Sequence, residues 1–269
     1  MYILEYSEDF GGPEDDFAFE KTTIVYEMAG SIYRAFSRKR YLSKEEIQFG
    51  DMFSTNKIQG ALVFPEFKDT FTKAEGLPEH LSTLYLKKPS LSPYSPNYPD
   101  LIRETWIAEV KTCEILKKNP HPNIAQYHGC AVVNDGSIRG IYFTKYDQTL
   151  MDKVNPARRN KLEFAYQRTQ ADLSKVDGWL KGIELGLKHL HGLGIIHNDI
   201  NPCNIMFQGD SPVIIDFDSS RAQGHDLSLV KRTHGWHDEK IEVSLPSNDT
   251  DALREMRMWL LGEVQQFQF

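Results

Sequence analysis

A short polar segment between two apolar stretches carries the side chains of this sequence that are best suited to chemistry. Residues His197–Asn204 read His-Asn-Asp-Ile-Asn-Pro-Cys-Asn, with Asp199 and Asn204 on either side of Pro202. Because proline cannot continue a helix, it holds an irregular loop that can aim the carboxylate and the amide into one site. Asp216 follows a short apolar run. A carboxylate just past a buried strand is well placed to hold a hard cation.

These residue types match the requirements of phosphoryl transfer, which depends more on substrate positioning and charge neutralisation than on covalent catalysis. Mg²⁺ bridges phosphate oxygens and prefers oxygen ligands, which Asn204 and Asp216 supply. A second carboxylate, Asp199, can orient an attacking hydroxyl and accept its proton. The spacing therefore predicts a phosphotransferase site with Mg²⁺ bound at Asn204 and Asp216.

Several motifs resemble those of eukaryotic-type protein kinases, over roughly residues 84–262. His-x-Asp-x-x-Pro-x-Asn followed by Ile-Asp-Phe resembles the catalytic loop and the metal-binding motif of that family. His121–Ile124 resembles the exit of the regulatory helix, and Thr233–Trp236 resembles the end of the activation segment. Asp249–Leu253 resembles the start of the central helix of the large lobe. More narrowly, the amino-acid sequence of the catalytic loop is similar to that of divergent kinase-like proteins of filamentous fungi.

The resemblance implies roles for the residues of the catalytic loop and its surroundings. Asp199 would be the catalytic base, and Asn204 and Asp216 would hold Mg²⁺. Asn201 would stand close to the transferred phosphate, where serine/threonine kinases commonly have a lysine. Asp249 would brace the catalytic loop from the central helix.

The resemblance also implies where ATP binds. Lys87 would hold the α- and β-phosphates and pair with a helix carboxylate, for which Glu109 is preferred. Lys88, on the opposite strand face, and Glu114 stay open as alternatives for this ion pair. The adenine would meet the backbone of a hinge formed by Thr144, Lys145 and Tyr146.

The sequence departs from the family in five places. No GxGxxG precedes Lys87, and Asn198 replaces the arginine that normally binds a phosphorylated activation loop, so control by that route is not expected. Asn201 replaces the common lysine, which removes one charge near the transferred phosphate. Asp218 replaces a glycine, and the sequence stops soon after the helix that begins near Asp249.

The elements that must position these residues follow from periodicity and turn signals. The predicted elements are a strand at Leu84–Lys87, a helix over Leu101–Lys118, a hairpin of 131–133 and 138–143 around Asp135-Gly136, a helix from about Ser174 to Gly192, strands at Ile195–Ile196 and Val213–Ile215, and a helix over Asp249–Val264. Gly178, Gly182 and Gly186 recur on one face of the second helix. Since each glycine lowers helix stability, the repeat predicts close approach of another backbone. Trp236 is predicted to be a packing residue.

Strands with one helix, followed by a mainly helical half, predict an α+β chain with two lobes and a cleft. Together with the resemblance, this order implies a two-lobed protein-kinase-like fold. Its small β-rich N-lobe would span 46–145, and its mainly helical, truncated C-lobe would span 146–269. Residues 1–45 would form an N-terminal extension, in which the acidic stretch Asp9–Asp16 is expected to be a solvated loop.

Composition narrows the class of protein and its partners. The net charge of −7 disfavours a nucleic-acid or anionic-membrane binder, and an apolar fraction of 40% is ordinary for a globular chain. No apolar run reaches the length of a membrane helix, and no signal peptide is expected. Three widely spaced cysteines predict neither a disulfide framework nor a zinc site, and favour a reducing intracellular compartment, cytoplasmic or nuclear.

Three functions follow in order of preference. The first is a protein kinase that transfers the γ-phosphate of ATP to serine or threonine of an unidentified protein substrate. The second is a small-molecule phosphotransferase that resembles the aminoglycoside and choline kinases, although those generally lack counterparts of His121–Ile124 and Thr233–Trp236. The third is an ATP-binding pseudokinase or scaffold, which the absent glycine-rich loop favours.

Overall fold

The computed structural model describes residues 1–11, 18–74, 81–167 and 173–269. Strands and helices both occur, which confirms the predicted α+β class. The chain divides into two compact units, each assembled from several stretches of sequence. The first contains 1–68, 88–107 and 131–140, and the second contains 69–87, 108–130 and 141–269. The lobe boundaries at residues 45 and 145 stay a prediction.

Four antiparallel strands form the sheet of the first unit, each paired with the next along the chain. They are β1 (Tyr2–Gly11), β2 (Ala18–Met28), β3 (Ser31–Ser37) and β4 (Met52–Ile58). Ala29 and Gly30 join β2 to β3, and both have positive φ, as a two-residue hairpin turn requires. Neighbouring residues of β2 pack into different clusters, Ile24 with Ile3 and Val25 with Ile58 and Phe64, so apolar residues cover both faces.

This sheet corrects part of the prediction for the N-terminal extension. Asp9, Phe10 and Gly11 belong to β1, so the expected acidic loop is wrong for these three residues. Thr23 donates to Asp9 Oδ2 at 2.6 Å, which ties the carboxylate to the neighbouring strand. The remainder of the acidic stretch, 12–16, lies outside the described residues. A short helix, α1 (Gly60–Val63), follows β4.

A three-stranded sheet in the order β5–β7–β6 positions the first predicted site residues. Its strands are β5 (Leu84–Lys87), β6 (Tyr127–Val132) and β7 (Ile138–Thr144). The predicted strand and hairpin are confirmed, and Gly136 has the positive φ expected of the hairpin turn. β5 is an edge strand, paired antiparallel with β7 so that Tyr85 faces Phe143 and Lys87 faces Ile141. The helix α2 (Leu101–Lys118) has the predicted bounds.

The mainly helical part contains two short strand pairs, one with four residues in each strand and one with two. Its elements are α3 (Leu150–Val154), α4 (Lys161–Tyr166), α5 (Leu173–Gly192), β8 (Ile195–Ile196), β9 (Ile205–Gln208), β10 (Ser211–Ile214), β11 (Arg221–Ala222) and α6 (Pro246–Leu261). β9 pairs with β10, and β8 pairs with β11, both antiparallel. No helix in these described ranges is both long enough and apolar enough to cross a membrane.

The glycines of α5 separate into two kinds. A Cβ added at Gly182 would lie 2.7 Å from Pro212 Cγ, and one at Gly186 would lie 2.9 Å from Ile214 Cδ1. The predicted approach of a backbone is confirmed at Gly186, where the Asn123 carbonyl oxygen would lie 3.1 Å from an added Cβ, whereas at Gly182 the nearest atoms belong to the side chains of Pro212 and Asn123. The prediction is wrong at Gly178, where an added Cβ would have nothing within 4 Å.

The last helix begins earlier than predicted, at Pro246, and ends at Leu261 rather than Val264. Proline suits the first helical turn because its missing N–H has no helical partner there. Gly262 ends the helix in the left-handed conformation, with φ 74°. Trp259 of α6 is fully buried against Trp236, with ring centroids 5.6 Å apart, so Trp236 packs in the core as predicted.

Candidate active site

The catalytic-loop segment and the end of β10 meet through backbone hydrogen bonds. The segment 197–204 connects β8 to β9, and Asp216 lies two residues beyond β10. The Ile215 N–H donates to the Asn204 carbonyl at 3.0 Å, and the His197 Nε2 bonds the Ile215 carbonyl at 2.9 Å. The chain therefore brings Asn204 beside Asp216, as the sequence predicted.

Asp199 lies within the same cluster and is held by several donors. Asn204 Nδ2 donates to the Asp199 carbonyl at 2.9 Å and to its Oδ2 at 3.1 Å. The Thr233 N–H donates to Asp199 Oδ1 at 2.8 Å, and the Thr233 hydroxyl donates to Oδ2 at 3.1 Å. Burial raises the pKa of Asp199, although the bonds from Thr233 act in the opposite direction.

Thr233 is a residue whose contact the sequence did not predict. Its position in the motif Thr-His-Gly-Trp was noted, but no spacing signal links it to Asp199, 34 residues earlier. Asn201 completes the arrangement, because its Nδ2 donates to the Thr233 hydroxyl at 3.0 Å. The amide thus orients the hydroxyl that contacts Asp199.

Lys87 joins two carboxylates of the site. Its Nζ lies 2.5 Å from Glu109 Oε1 and 2.6 Å from Asp216 Oδ1. Burial disfavours the charged ammonium, but Glu109 and Asp216 outweigh it and raise the pKa of Lys87. Burial also acts to raise the pKa of Asp216, but the charge of Lys87 prevails and the pKa is lowered.

Glu109 of α2 is fully buried, and burial raises its pKa to about 7 in spite of the adjacent Lys87. The Phe217 N–H donates to Glu109 Oε1 at 3.3 Å, whereas Oε2 has no partner among the described residues. The alternative carboxylate, Glu114, bonds other residues instead of Lys87. It accepts from the Thr72 N–H at 2.6 Å and from the Tyr127 hydroxyl at 3.0 Å.

A buried amide holds the catalytic loop where the family has an arginine. Asn198 Nδ2 donates to the carbonyls of Ile196 and Ser219 at 3.1 and 3.2 Å and to the Ser244 hydroxyl at 3.0 Å. Its Oδ1 accepts from Asn248 Nδ2 at 3.0 Å. The side chain is therefore satisfied without any charged partner.

Asp249 braces the loop in the way that the resemblance implies. Its carboxylate accepts from the N–H groups of His197 and Asn198 at 2.9 and 2.7 Å.

Asn198 and Asp216 both have positive φ, 65° and 66°. Such a backbone costs about 1–2 kcal/mol for an L-residue, so the surrounding bonds must hold it in place.

A cavity of about 410 Å³ lies beside these residues. The predicted hinge residues Thr144, Lys145 and Tyr146 line it, together with Lys87 and Asp216. The N–H of Thr144 donates to Gln126 and that of Lys145 donates to Thr83, so neither is available to a ligand. The Tyr146 N–H has no partner among the described residues and can donate to an acceptor in the cavity.

The donor set can be tested against Mg²⁺. The Asn204 amide turns its nitrogen toward Asp199, which leaves Oδ1 without a hydrogen-bond donor among the described residues. Asp216 is ionised, since its pKa is lowered. Mg²⁺ usually binds one or two carboxylates and keeps waters and phosphate oxygens as its other ligands. Asn204 and Asp216 therefore fit the ion and are the residues that would hold it.

Comparison with known proteins assigns the family. A family model described as the protein kinase domain matches residues 94–241, which is more than half of the chain. The chain belongs to the protein kinase domain family. The kinase domain includes the catalytic loop, Asp216 and the motif around Thr233, all inside the matched range.

Curated relatives of this kinase domain come from distant organisms. Mitogen-activated protein kinase kinase kinase 1 of Arabidopsis thaliana is 31% identical over 55% of this chain and 22% of its own length. Ephrin type-A receptor 8 of Mus musculus is 25% identical over 94% of this chain and 22% of its own length. Protein kinase YpkA of Yersinia pseudotuberculosis is 34% identical over 36% of this chain and 14% of its own length. The chain thus spans about a fifth or less of these relatives.

Proposed function

We propose that this kinase domain transfers the γ-phosphoryl group of ATP to the hydroxyl of a serine or threonine in a protein substrate. The observation that carries the proposal is the convergence of Asp199, Asn204 and Asp216 through direct hydrogen bonds and one backbone bond. Glu109 also holds the Lys87 ammonium beside Asp216, so that this positive charge lies at the same place.

The side chains supply the functions that the reaction needs. Asp199 accepts the proton of the attacking hydroxyl, and its raised pKa makes it a better base than a free carboxylate. Lys87, kept protonated by two carboxylates, neutralises phosphate charge. Bound Mg²⁺ would supply further neutralisation at Asn204 and Asp216. Thr233 already places one hydroxyl 3.1 Å from Asp199 Oδ2, which indicates that a hydroxyl fits there.

The test is transfer of label from γ-labelled ATP, in Mg²⁺ buffer, to the domain itself and to a mixture of protein acceptors. Asp199→Asn should lower the rate by about 10²- to 10⁴-fold, because it removes the base and keeps the shape. Asp226→Asn is the control, since Asp226 bonds Ser228 and has no assigned role in transfer. Equal rates for wild type and Asp199→Asn would refute the assignment.

Analysis of the labelled product separates the acceptor classes. Label on serine or threonine is expected. Label on tyrosine would refute the serine/threonine specificity while keeping protein kinase activity. Label on a small molecule in a metabolite mixture, with none on polypeptide, would support the small-molecule phosphotransferase instead.

A second candidate is an ATP-binding module without turnover. The observation that favours it is the edge position of β5, the strand that carries Lys87. Among the described strands, β5 pairs with β7 alone. Ligand-dependent thermal stabilisation in wild type, lost in Asp216→Ala, with no transfer to any acceptor would support this candidate.

A further inference from the structure

Tyr85 lies in the candidate nucleotide cavity and has no role in the function proposed above. It stands on β5 two residues before Lys87, so both side chains leave the same face of the strand. Tyr85 is 56% exposed, although it lines the cavity together with Tyr146. A large aromatic ring that stays half in solvent beside a cavity has area left to bury against a ligand.

β5, the strand that carries Tyr85, lies at the edge of its sheet. Of the strands that the structure describes, β7 is the single partner of β5, and β1–β4 form a separate sheet. No GxGxxG motif precedes Lys87 in the sequence. The strands of this sheet, within the ranges that the structure describes, therefore show no GxGxxG loop that could cover a nucleotide.

The ring leaves room for a base. The cavity has a volume of about 410 Å³ with Tyr85 in place, within the range of small-molecule sites. Apolar side chains form much of its lining: Phe143 of β7, Met206 of β9, and Ala125 and Ile215 outside the strands. Phe143 is the residue directly opposite Tyr85 in the β5–β7 pair. An apolar lining next to the aromatic face of Tyr85, with a donor at Tyr146, suits a heterocyclic base.

We propose that Tyr85 stacks on the adenine of ATP and provides the cover that a glycine-rich loop would otherwise give. This inference rests on the proposed function, because it requires ATP in the cavity. It also makes a specific claim about which part of the ligand Tyr85 contacts. The ring should contribute to binding of the base and contribute little to binding of the phosphates, which lie toward Lys87.

The experiment compares MgATP with Mg²⁺-tripolyphosphate, which has the phosphate chain but no base. Binding to the full chain is measured by thermal shift and by equilibrium titration, neither of which needs turnover. Tyr85→Ala should weaken MgATP by about 5- to 150-fold, the range for loss of one aromatic stack, and should change tripolyphosphate by less than about twofold. Tyr85→Phe keeps the ring and should bind MgATP within about twofold of wild type.

Tyr85→Leu controls for apolar bulk and for folding, because it keeps volume without a ring. It should lose most of the affinity that Tyr85→Ala loses. Equal binding of MgATP by wild type and Tyr85→Ala, or tighter binding by Tyr85→Ala, would overturn the stacking role alone. Equal weakening of MgATP and tripolyphosphate would also overturn it. Wild type that binds neither ligand would overturn the proposed function, and the stacking role with it.

Discussion

The two sides of the candidate site are built in different ways. The loop side, residues 197–204 with Asp216, is mostly buried, and the Asn198 side chain alone bonds four residues outside it. The strand side, β5, is an edge strand that presents Tyr85 and Lys87. Asn198 and Asp199 are each held by several hydrogen bonds, whereas on the strand side one side chain, Lys87, contacts both Glu109 and Asp216. Substitutions should therefore affect stability more on the loop side and ligand handling more on the strand side.

On the strand side, the largest effect is expected from Lys87→Met. Loss of the ammonium removes the charge shared by Glu109 and Asp216, so kcat/KM should fall by about 10²- to 10³-fold. Lys88→Met is the matched control on the neighbouring residue and should change kcat/KM by less than about twofold. Steady-state kinetics with ATP measures both. An equal loss in the two variants would contradict the assignment of the ion pair to Lys87.

Asn198→Ala tests whether the loop side is held by its amide network. The variant leaves the Ser219 carbonyl and the Ser244 hydroxyl without this partner, so the free energy of unfolding should fall by about 2–3 kcal/mol. Asn198→Gly also lacks the amide but tolerates the positive φ, and should be about 1 kcal/mol more stable than the alanine variant. Urea titration measures the difference. An alanine variant as stable as wild type would show that the network is dispensable.

The sequence predicted the loop side better than the rest of the molecule. Asp199, Asn204 and Asp216 converge because a proline-containing loop and the end of a short strand leave few alternatives, and polar residues there have chemical meaning. Thr233 was missed because its contact with Asp199 spans 34 residues and depends on how the intervening segment folds. The choice of Glu109 over Glu114 likewise needed the helix to be placed against β5.

The N-terminal strands were not predicted. β1 and β2 mix charged and apolar residues in a weak alternation, and both faces of their sheet are partly buried, so the period of two is obscured. The acidic stretch beginning at Asp9 suggested a loop, yet the strand continues to Gly11 because Asp9 bonds to Thr23 on the neighbouring strand. Tertiary pairing therefore overrides the local composition there.

Glu109→Gln and Glu114→Gln form a reciprocal pair. Above its pKa of about 7, Glu109 makes a charged bond to Lys87, which Glu109→Gln replaces by a neutral one, so kcat/KM measured near pH 8 should fall roughly tenfold. Glu114→Gln leaves catalysis nearly intact and should lower the free energy of unfolding by about 1–2 kcal/mol, since it weakens the bonds to Thr72 and Tyr127. The opposite pattern would mean that the two carboxylates have exchanged roles.

The difference in stability between wild type and Glu109→Gln should depend on pH. The pKa of Glu109 is about 7 in the folded chain, above the ordinary value of a glutamate, so the folded state binds the proton more tightly than the unfolded state. Stability that derives from this proton is present at low pH and is lost as the pH rises through about 7. Glu109→Gln lacks the titration, so its stability relative to wild type should increase between about pH 5 and pH 8. Melting temperatures across that range measure it, and a relative stability that decreases would contradict the shift.

Gly178 and Gly182 of α5 give the best matched comparison, with small expected changes in the free energy of unfolding. Alanine gains about 1 kcal/mol of helix stability over glycine at an unobstructed position, which Gly178 offers because an added Cβ would meet nothing within 4 Å. At Gly182 the same methyl would lie 2.7 Å from Pro212 and 3.0 Å from Asn123 Nδ2, which itself donates to the Pro212 carbonyl at 2.7 Å. The contact should cost about 1–3 kcal/mol and push β10 away from the helix. Because β10 leads into Asp216, Gly182→Ala should also weaken catalysis, whereas Gly178→Ala should not. If both variants were stabilised equally, the packing of α5 against β10 would not support the loop side.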